Sequence, residues 1–519
     1  MTTWSLAWTW AGHRGNASDG ALRVTWSERM AMGPSAGVRS ATMEIHPAGI
    51  DVLETAARPD ARAPGYGQLY RNGVEVLRGL WRDVEYDDGT ITLTIGDDEV
   101  GDDATLWPGP TSLRRSEVLA SLFIQYRIEP APKIGKKWFE RPFVIYRITQ
   151  QEVWGPVVFG APGSTTVPGS PAYLLNEAAV DYGDGLGTTW RMIIARHRVE
   201  AATVRLWLPA ANAPDQLSLD GHGSDDAGLY TVYHATDPEG FTYAFCSIPT
   251  PTMTGASFLG ALPSPDRPAA VSWTEGDALP GGAGSVLVEI LAVSSVRCDL
   301  PAWRAAADVL DRYQLAGYVD ERVAPYELAA GIMSYLPVQA VHTLDGIAPQ
   351  IHPWATTTTP RPIEAGRGLS RAGPIAEGYQ PVTSVEVRYR FGPMSTDGAS
   401  SLVLDADATP YGLAAASLGA SRAADEVVRA DWVWSASTAQ RIAADTLRLS
   451  VAGRTVPYIA DPALYGPGTP GELRIGQAVA VTDSGAFLTA AEGYVEAIEA
   501  ADDQMRVTIV LRDDPLRGT

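Results

Sequence analysis

A cysteine hydrolase needs a thiolate paired in space with a histidine. The chain offers two cysteines, Cys246 and Cys298. Cys246 stands in the alternating run YAFCSI and Cys298 at the end of an apolar run. Neither carries the local signature of a nucleophile, so both read as core thiols. Two cysteines exclude a disulfide framework and a cysteine-rich zinc site. They leave room for one disulfide, although two reduced thiols suit a protein assembled in the cytosol better. The seven histidines (His13, His46, His197, His222, His234, His342 and His352) form no HExxH and no close i, i+4 pair. That argues against a zinc peptidase.

Asp181 and Asp184 in DYGDGLG sit beside glycines, but their spacing fits no EF-hand, and a turn is the better reading. The same segment lacks the lysine of a phosphate-cradling loop. Lys133, Lys136 and Lys137, next to Trp138 and Phe139, form a basic cluster in an acidic chain. A phosphate or partner contact there competes with a plain solvated loop, which fits better. The 61 acidic residues leave glycosidase-type carboxylate pairs open, because sequence does not give distance. The expectation is a non-enzymatic chain, with no catalytic, cofactor-binding or metal-binding residue assigned.

The elements that would position such groups are mostly strands. In residues 71–97, Asn72-Gly73 marks a tight hairpin. Val84 and Tyr86 then lead to Asp87-Asp88-Gly89, after which Ile91, Leu93 and Ile95 alternate with Thr90, Thr92 and Thr94. This period-2 meander predicts a small barrel or sandwich with one wet face. Residues 155–175 read as an irregular connector rich in Gly, Pro, Ser and Thr. TVRLWLPA and LYTVYHATDPEGFTYAFCSI predict more strands, and GSVLVEILAVSSVRCDL reads as a further apolar one. The period then changes. Trp303, Ala306, Val309, Leu310 and Tyr313 share a helical face, as do Leu328, Ile332, Tyr335 and Leu336. Near the end, TSVEVRYRF predicts a strand and SASTAQRIAADTLRLSVAG a helix, with Ser437 and Gln440 as a capping box and Gly453 as the stop. Val479 with Val481, Tyr494 to Ile498, and Val507, Ile509 and Leu511 predict three last strands.

At 519 residues the chain exceeds what one core fills, so several domains are expected. Its net charge of −21 argues against a protein that grips phosphates, but suits a wall past which DNA slides; solubility alone explains it equally well. Fifteen tryptophans are many for this length, and some are expected to face partners while most are core. The first residues lack the basic and apolar regions of a signal peptide. No stretch reaches the roughly 18 apolar residues of a membrane span, so no stable membrane span is expected.

GLWRDVEYDDGTITLTIGD and GYVEAIEAADDQMRVTIVLRDD share one plan: glycine, apolar strand, acidic turn, alternating strand. Two copies of one small barrel are inferred. With the helical stretch ending SYLP and the helix TAQRIAADTLRLSVAG, this plan resembles the baseplate hub, or tail tip hub, proteins of long-tailed phages and gene transfer agents. The resemblance covers about half the chain and rests on order and pattern.

It implies a mainly β chain with minor α: two small β-barrel tube-type domains, an additional β-rich domain and a small helical subdomain. The expected division is 1–115 for the first barrel, 116–175 for a connector, 176–300 for the additional domain, 301–345 for the helical subdomain, 346–380 for a second connector and 381–519 for the second barrel. It further implies a homotrimer at the virion tail tip, assembled in the host cytoplasm. The implied partners are a distal tail ring protein, the tape-measure protein C-terminus and a tip or fibre protein, with DNA passing through the lumen without specific binding. The acidic turns at Asp87, Asp88, Asp502 and Asp503 are candidates to face that lumen. The alternative is a tail-borne or secreted, glycan-active or carbohydrate-binding β-rich protein, with binding confined to residues 155–300.

Overall fold

The computed structural model describes residues 4–10, 13–18, 22–29, 38–45, 65–71, 73–87, 90–96, 107, 156–163, 169–174, 180–181, 188–210, 213–222, 230–236, 242–249, 269–273, 279–343, 345–352, 359–377, 382–393, 400–405, 424–450, 454–466, 468–501 and 504–511. The fold is mainly β with few helices, as the sequence pattern predicts. The lysine cluster at 133–137, Asp88, Asp184, Asp502, Asp503 and Gly453 lie outside the described residues.

The first region carries β1 (Trp4–Trp10), β2 (His13–Ser18), β3 (Leu22–Arg29), β4 (Val38–Ile45), β5 (Gly65–Arg71), β6 (Val74–Asp87) and β7 (Thr90–Gly96). The middle carries β8 (Val157–Phe159), β9 (Ser170–Leu174), β10 (Val180–Asp181), β11 (Thr188–Ala195), β12 (Arg205–Ala210), β13 (Ala213–His222), β14 (Thr231–Thr236), β15 (Thr242–Pro249) and β16 (Ala269–Ser272). Next come α1 (Ala283–Ala292), α2 (Leu300–Leu310), β17 (Gly317–Val319), α3 (Pro325–Met333), β18 (Val338–Thr343) and β19 (Gly346–Ile351). The last part holds β20 (Arg361–Glu364), β21 (Leu369–Arg371), β22 (Ala376–Glu377), β23 (Val382–Tyr389), β24 (Ser400–Asp405), β25 (Ala424–Arg429), α4 (Ala436–Ser450), β26 (Arg454–Ala460), α5 (Pro462–Tyr465), β27 (Ala478–Asp483), β28 (Leu488–Ala501) and β29 (Gln504–Leu511).

One 14-stranded sheet holds both ends of the chain. Its first half runs β5-β6-β7-β4-β3 and its second β27-β28-β29-β26-β21, the same order twice. Inward positions alternate as the period-2 pattern requires. Ala41, Met43 and Ile45 of β4 are buried, and so are Val456, Tyr458 and Ala460 of β26. A single apolar core runs through both halves. The outer strands differ: β1 lies antiparallel on β5, whereas β20 lies parallel on β27.

The expected boundaries move in three places. The second barrel is built from 361–377 and 454–511, not from 381–519. The stretch 382–450 is inserted into it in sequence, and its described residues pack elsewhere, with Val385, Val387, Tyr389, Trp432 and Ile442 in the core of the helical domain. The expected connector 346–380 carries regular strands, and three of them, β20, β21 and β22, belong to the second barrel. Within the connector predicted over 155–175, β8 and β9 are regular strands.

A further correction is α1, where the apolar run predicts a strand. Ala283, Val286, Leu287, Ile290 and Leu291 are buried at helical spacing. Asp311 fixes the start, accepting from Ser285 N–H at 2.8 Å and Ser285 hydroxyl at 2.6 Å. A capping group supplied 26 residues away leaves no local signal. The helical domain therefore takes in the described residues of 283–351 and of 382–450, and the middle domain is the eight-stranded sheet β13-β12-β16-β9-β11-β15-β14 with β10 on β11. In α4 the cap is Ser435, whose hydroxyl lies 3.5 Å from Thr438 N–H, rather than Ser437.

Candidate assembly interface

The duplication extends to individual residues. In the β6–β7 hairpin, five pairs run from Asp87–Thr90 to Asp83–Thr94, and then Arg82 drops out of register. In the β28–β29 hairpin, five pairs run from Ala501–Gln504 to Ala497–Thr508, and then Glu496 drops out. A bulge bends its strand and raises the local twist, so equal placement gives equal curl. The bend lets β6 hold β5 with its first half and β7 with its second; β28 does the same with β27 and β29. The pairs Leu22–Ile45 and Leu369–Ala460 correspond. So do Glu28–Arg39 and Glu377–Arg454. β21 and β22 together are thus the second copy's β3.

The copies join edge to edge. β3 lies antiparallel on the second half of β28, from Thr25–Ala501 to Arg29–Ala497. A buried arginine clamps the same two halves. Arg71, 2% exposed, donates to the Pro462 carbonyl at 3.0 Å and lies 5.4 Å from the Trp4 ring. Burial lowers its pKa and nearby Glu472 opposes that shift. Gly466 faces this guanidinium so closely that a Cβ would stand 1.9 Å from Nη1.

The inserted stretch is also locked. Ala316 N–H donates to the Trp432 carbonyl at 2.7 Å, the Phe159 and Trp432 rings lie 5.4 Å apart, and Tyr313 hydroxyl bonds Asp445. Tyr173 hydroxyl bonds Asp320 and ties the middle domain to the helical one.

The residues screened for chemistry are scattered. Cys246 is buried in the middle-domain core, where burial pushes its thiol pKa up, and Cys298 packs against the helical core; the two form no disulfide. His197 meets Trp273 edge-on, His234 Nε2 accepts from Val199 N–H at 3.1 Å, and His352 meets Tyr494. Asp181 ends β10 opposite Thr188. Among the described residues no three of His, Cys, Asp and Glu gather to hold a metal ion. Nor is any described helix long and apolar enough to cross a membrane. An open depression of about 350 Å³ lies between β21 and β26. Its one ionisable lining residue, Asp461, already caps α5 by accepting from Ala463 N–H at 2.8 Å. Trp4, Trp8, Trp207, Trp273, Trp303 and Trp432 are core residues. Phe487 is 96% exposed, in a left-handed conformation at the β27–β28 turn; sequence reading passed it over.

No family model matches the chain, and no curated protein matches it significantly. Among solved structures it is similar to the 43 kDa tail protein of prophage MuSo2 from Shewanella oneidensis, at 9% identity and a TM-score of 0.41, covering 98% of this chain and 99% of that one. It is also similar to a tail protein from Neisseria meningitidis MC58, at 9% identity and a TM-score of 0.38, covering 98% and 96%. A third is the prophage tail protein gp18 from Listeria monocytogenes EGD-e, at 9% identity and a TM-score of 0.24, covering 63% and 93%.

Proposed function

We propose that this chain is a structural, non-enzymatic protein of a phage or phage-like tail, and that it serves as the hub at the tail tip. The observation that carries the reading is the strand duplication within one sheet. Each chain supplies two equivalent curled units, so three chains supply six. Six equivalent units can mate with a hexameric ring, while three chains present three copies of everything else. Such a hub would bridge a distal tail ring protein and the tape-measure C-terminus on one side to a tip or fibre protein on the other. DNA would pass through its lumen without specific binding. The chain's net charge of −21 suits that passage, since acidic walls repel phosphates over about 8 Å at physiological salt.

Cryo-microscopy of tails assembled with the tagged chain tests this. The expected result is three copies at the distal end of the tail. A monomer absent from particles, or a sixfold ring of whole chains, overturns the hub. Activity assays on peptidoglycan and common polysaccharides are expected to show no turnover; turnover abolished by one carboxylate substitution overturns the non-enzymatic reading.

A further inference from the structure

The edge-to-edge joint inside the chain uses one element from each copy: β3 from the first and the outer side of β28 from the second. The duplication places their counterparts at the opposite ends of the same sheet. The counterpart of β3 is β21 with β22, which bonds β26 on one side and has no described strand on the other. The counterpart of β28's second half is residues 83–87 of β6, which bond β7 on one side. Among the described residues no strand lies on their other side. The chain thus carries one made joint and the two halves of a second.

We propose that β22 of one copy pairs antiparallel with residues 84–86 of β6 in a second copy, repeating the β3–β28 joint between chains. The register follows from the equivalences. Ser27 pairs with Glu499 and Glu28 with Ile498 inside the chain, so Ala376 pairs with Glu85 and Glu377 with Val84 between chains. Two different surfaces meet in this contact, so it is heterologous and propagates until the rotation closes a ring. The break between β21 and β22 at Gly373-Pro374 keeps this edge short. Short edges interrupted by proline resist indiscriminate pairing, which favours a partner whose curvature matches over aggregation. The proposal deepens the tail-hub reading by naming the contact that would assemble it.

Cysteine cross-linking tests the register, in a background with Cys298→Ser. The in-chain control, Ser27→Cys with Glu499→Cys, should close within one chain under diamide and so report that the variants fold. Glu85→Cys with Ala376→Cys should give covalent two- and three-chain products on a non-reducing gel, while either single variant gives none. Closure of Glu85→Cys on Ala376→Cys within one chain, or no product while the control closes, overturns the pairing. Native mass measured in parallel separates the two readings. An oligomer lacking the 85–376 cross-link sinks the edge assignment and leaves the assembly standing. A monomer at every concentration, with no cross-link, sinks both.

Discussion

Gly79 and Gly493 hold the same place in two equivalent strands: each stands three residues before the residue left out of register in its hairpin. Gly79 pairs with Gly67 and Gly493 with Val479, so both glycines sit where the long strand hands over from one neighbour to the other. At Gly493 a Cβ would stand 2.4 Å from the Val510 carbonyl oxygen. Backbone occupies that space, and a side chain cannot push it aside without distorting the hairpin.

Gly493→Ala is therefore expected to destabilise the chain by about 1–3 kcal/mol, the usual cost of overpacking. A fall in the urea midpoint at unchanged slope is the expected result. An unchanged midpoint would mean that the hairpin opens freely at this point.

Asp311→Ala removes the carboxylate that holds the first turn of α1 through Ser285. Loss of about 1–2 kcal/mol is expected, as for other helix caps. Asp311→Asn should recover part of it, because the amide oxygen still accepts from Ser285 N–H. Equal losses in both variants would show that charge, not the hydrogen bond, matters there.

Arg71→Ala removes the clamp between the two halves of the sheet, and about 1–3 kcal/mol of stability should go with it. Arg71→Met should cost less. The guanidinium is already penalised by burial, and a packed apolar chain of similar length avoids that penalty. Calorimetry of the three proteins decides the order. A methionine variant weaker than the alanine one would refute it.

Alkaline pH should unfold the chain through its buried tyrosines. Burial pushes the Tyr326 hydroxyl up to about 12, and the phenols of Tyr313, Tyr335 and Tyr458 are raised chiefly for the same reason. Their folded pKa values lie above the unfolded value of about 10. The contribution is thus complete below pH of about 10 and is lost as pH rises through the folded values. Melting temperature against pH, read with tyrosinate absorbance, should show the fall beginning near there. Titration of these phenols at the unfolded value, in a chain still folded, would overturn the assignment.

The amino-acid sequence determined β7 and β29, one strand in each barrel, because alternation in ITLTI and in MRVTIVL is a local property that burial on one face enforces. It also showed the repeat, since glycine, acidic turn and alternating strand recur in the same order. The helices α2 and α3 were legible from Trp303, Ala306, Leu310, Ile332 and their spacing. What the sequence did not reveal was α1, because a short apolar run reads as buried strand or buried helix alike, and the deciding cap lies on α2's far end. Nor did it show that 382–450 leaves the second barrel, since Val385 and Val387 alternate as well in one sheet as in another. The joint of β3 with β28 belongs to tertiary structure alone. Sheet edges pair through backbone groups that every residue carries, so the choice of partner edge is set by matching curvature, and matching curvature is a property of two bulges far apart in the chain.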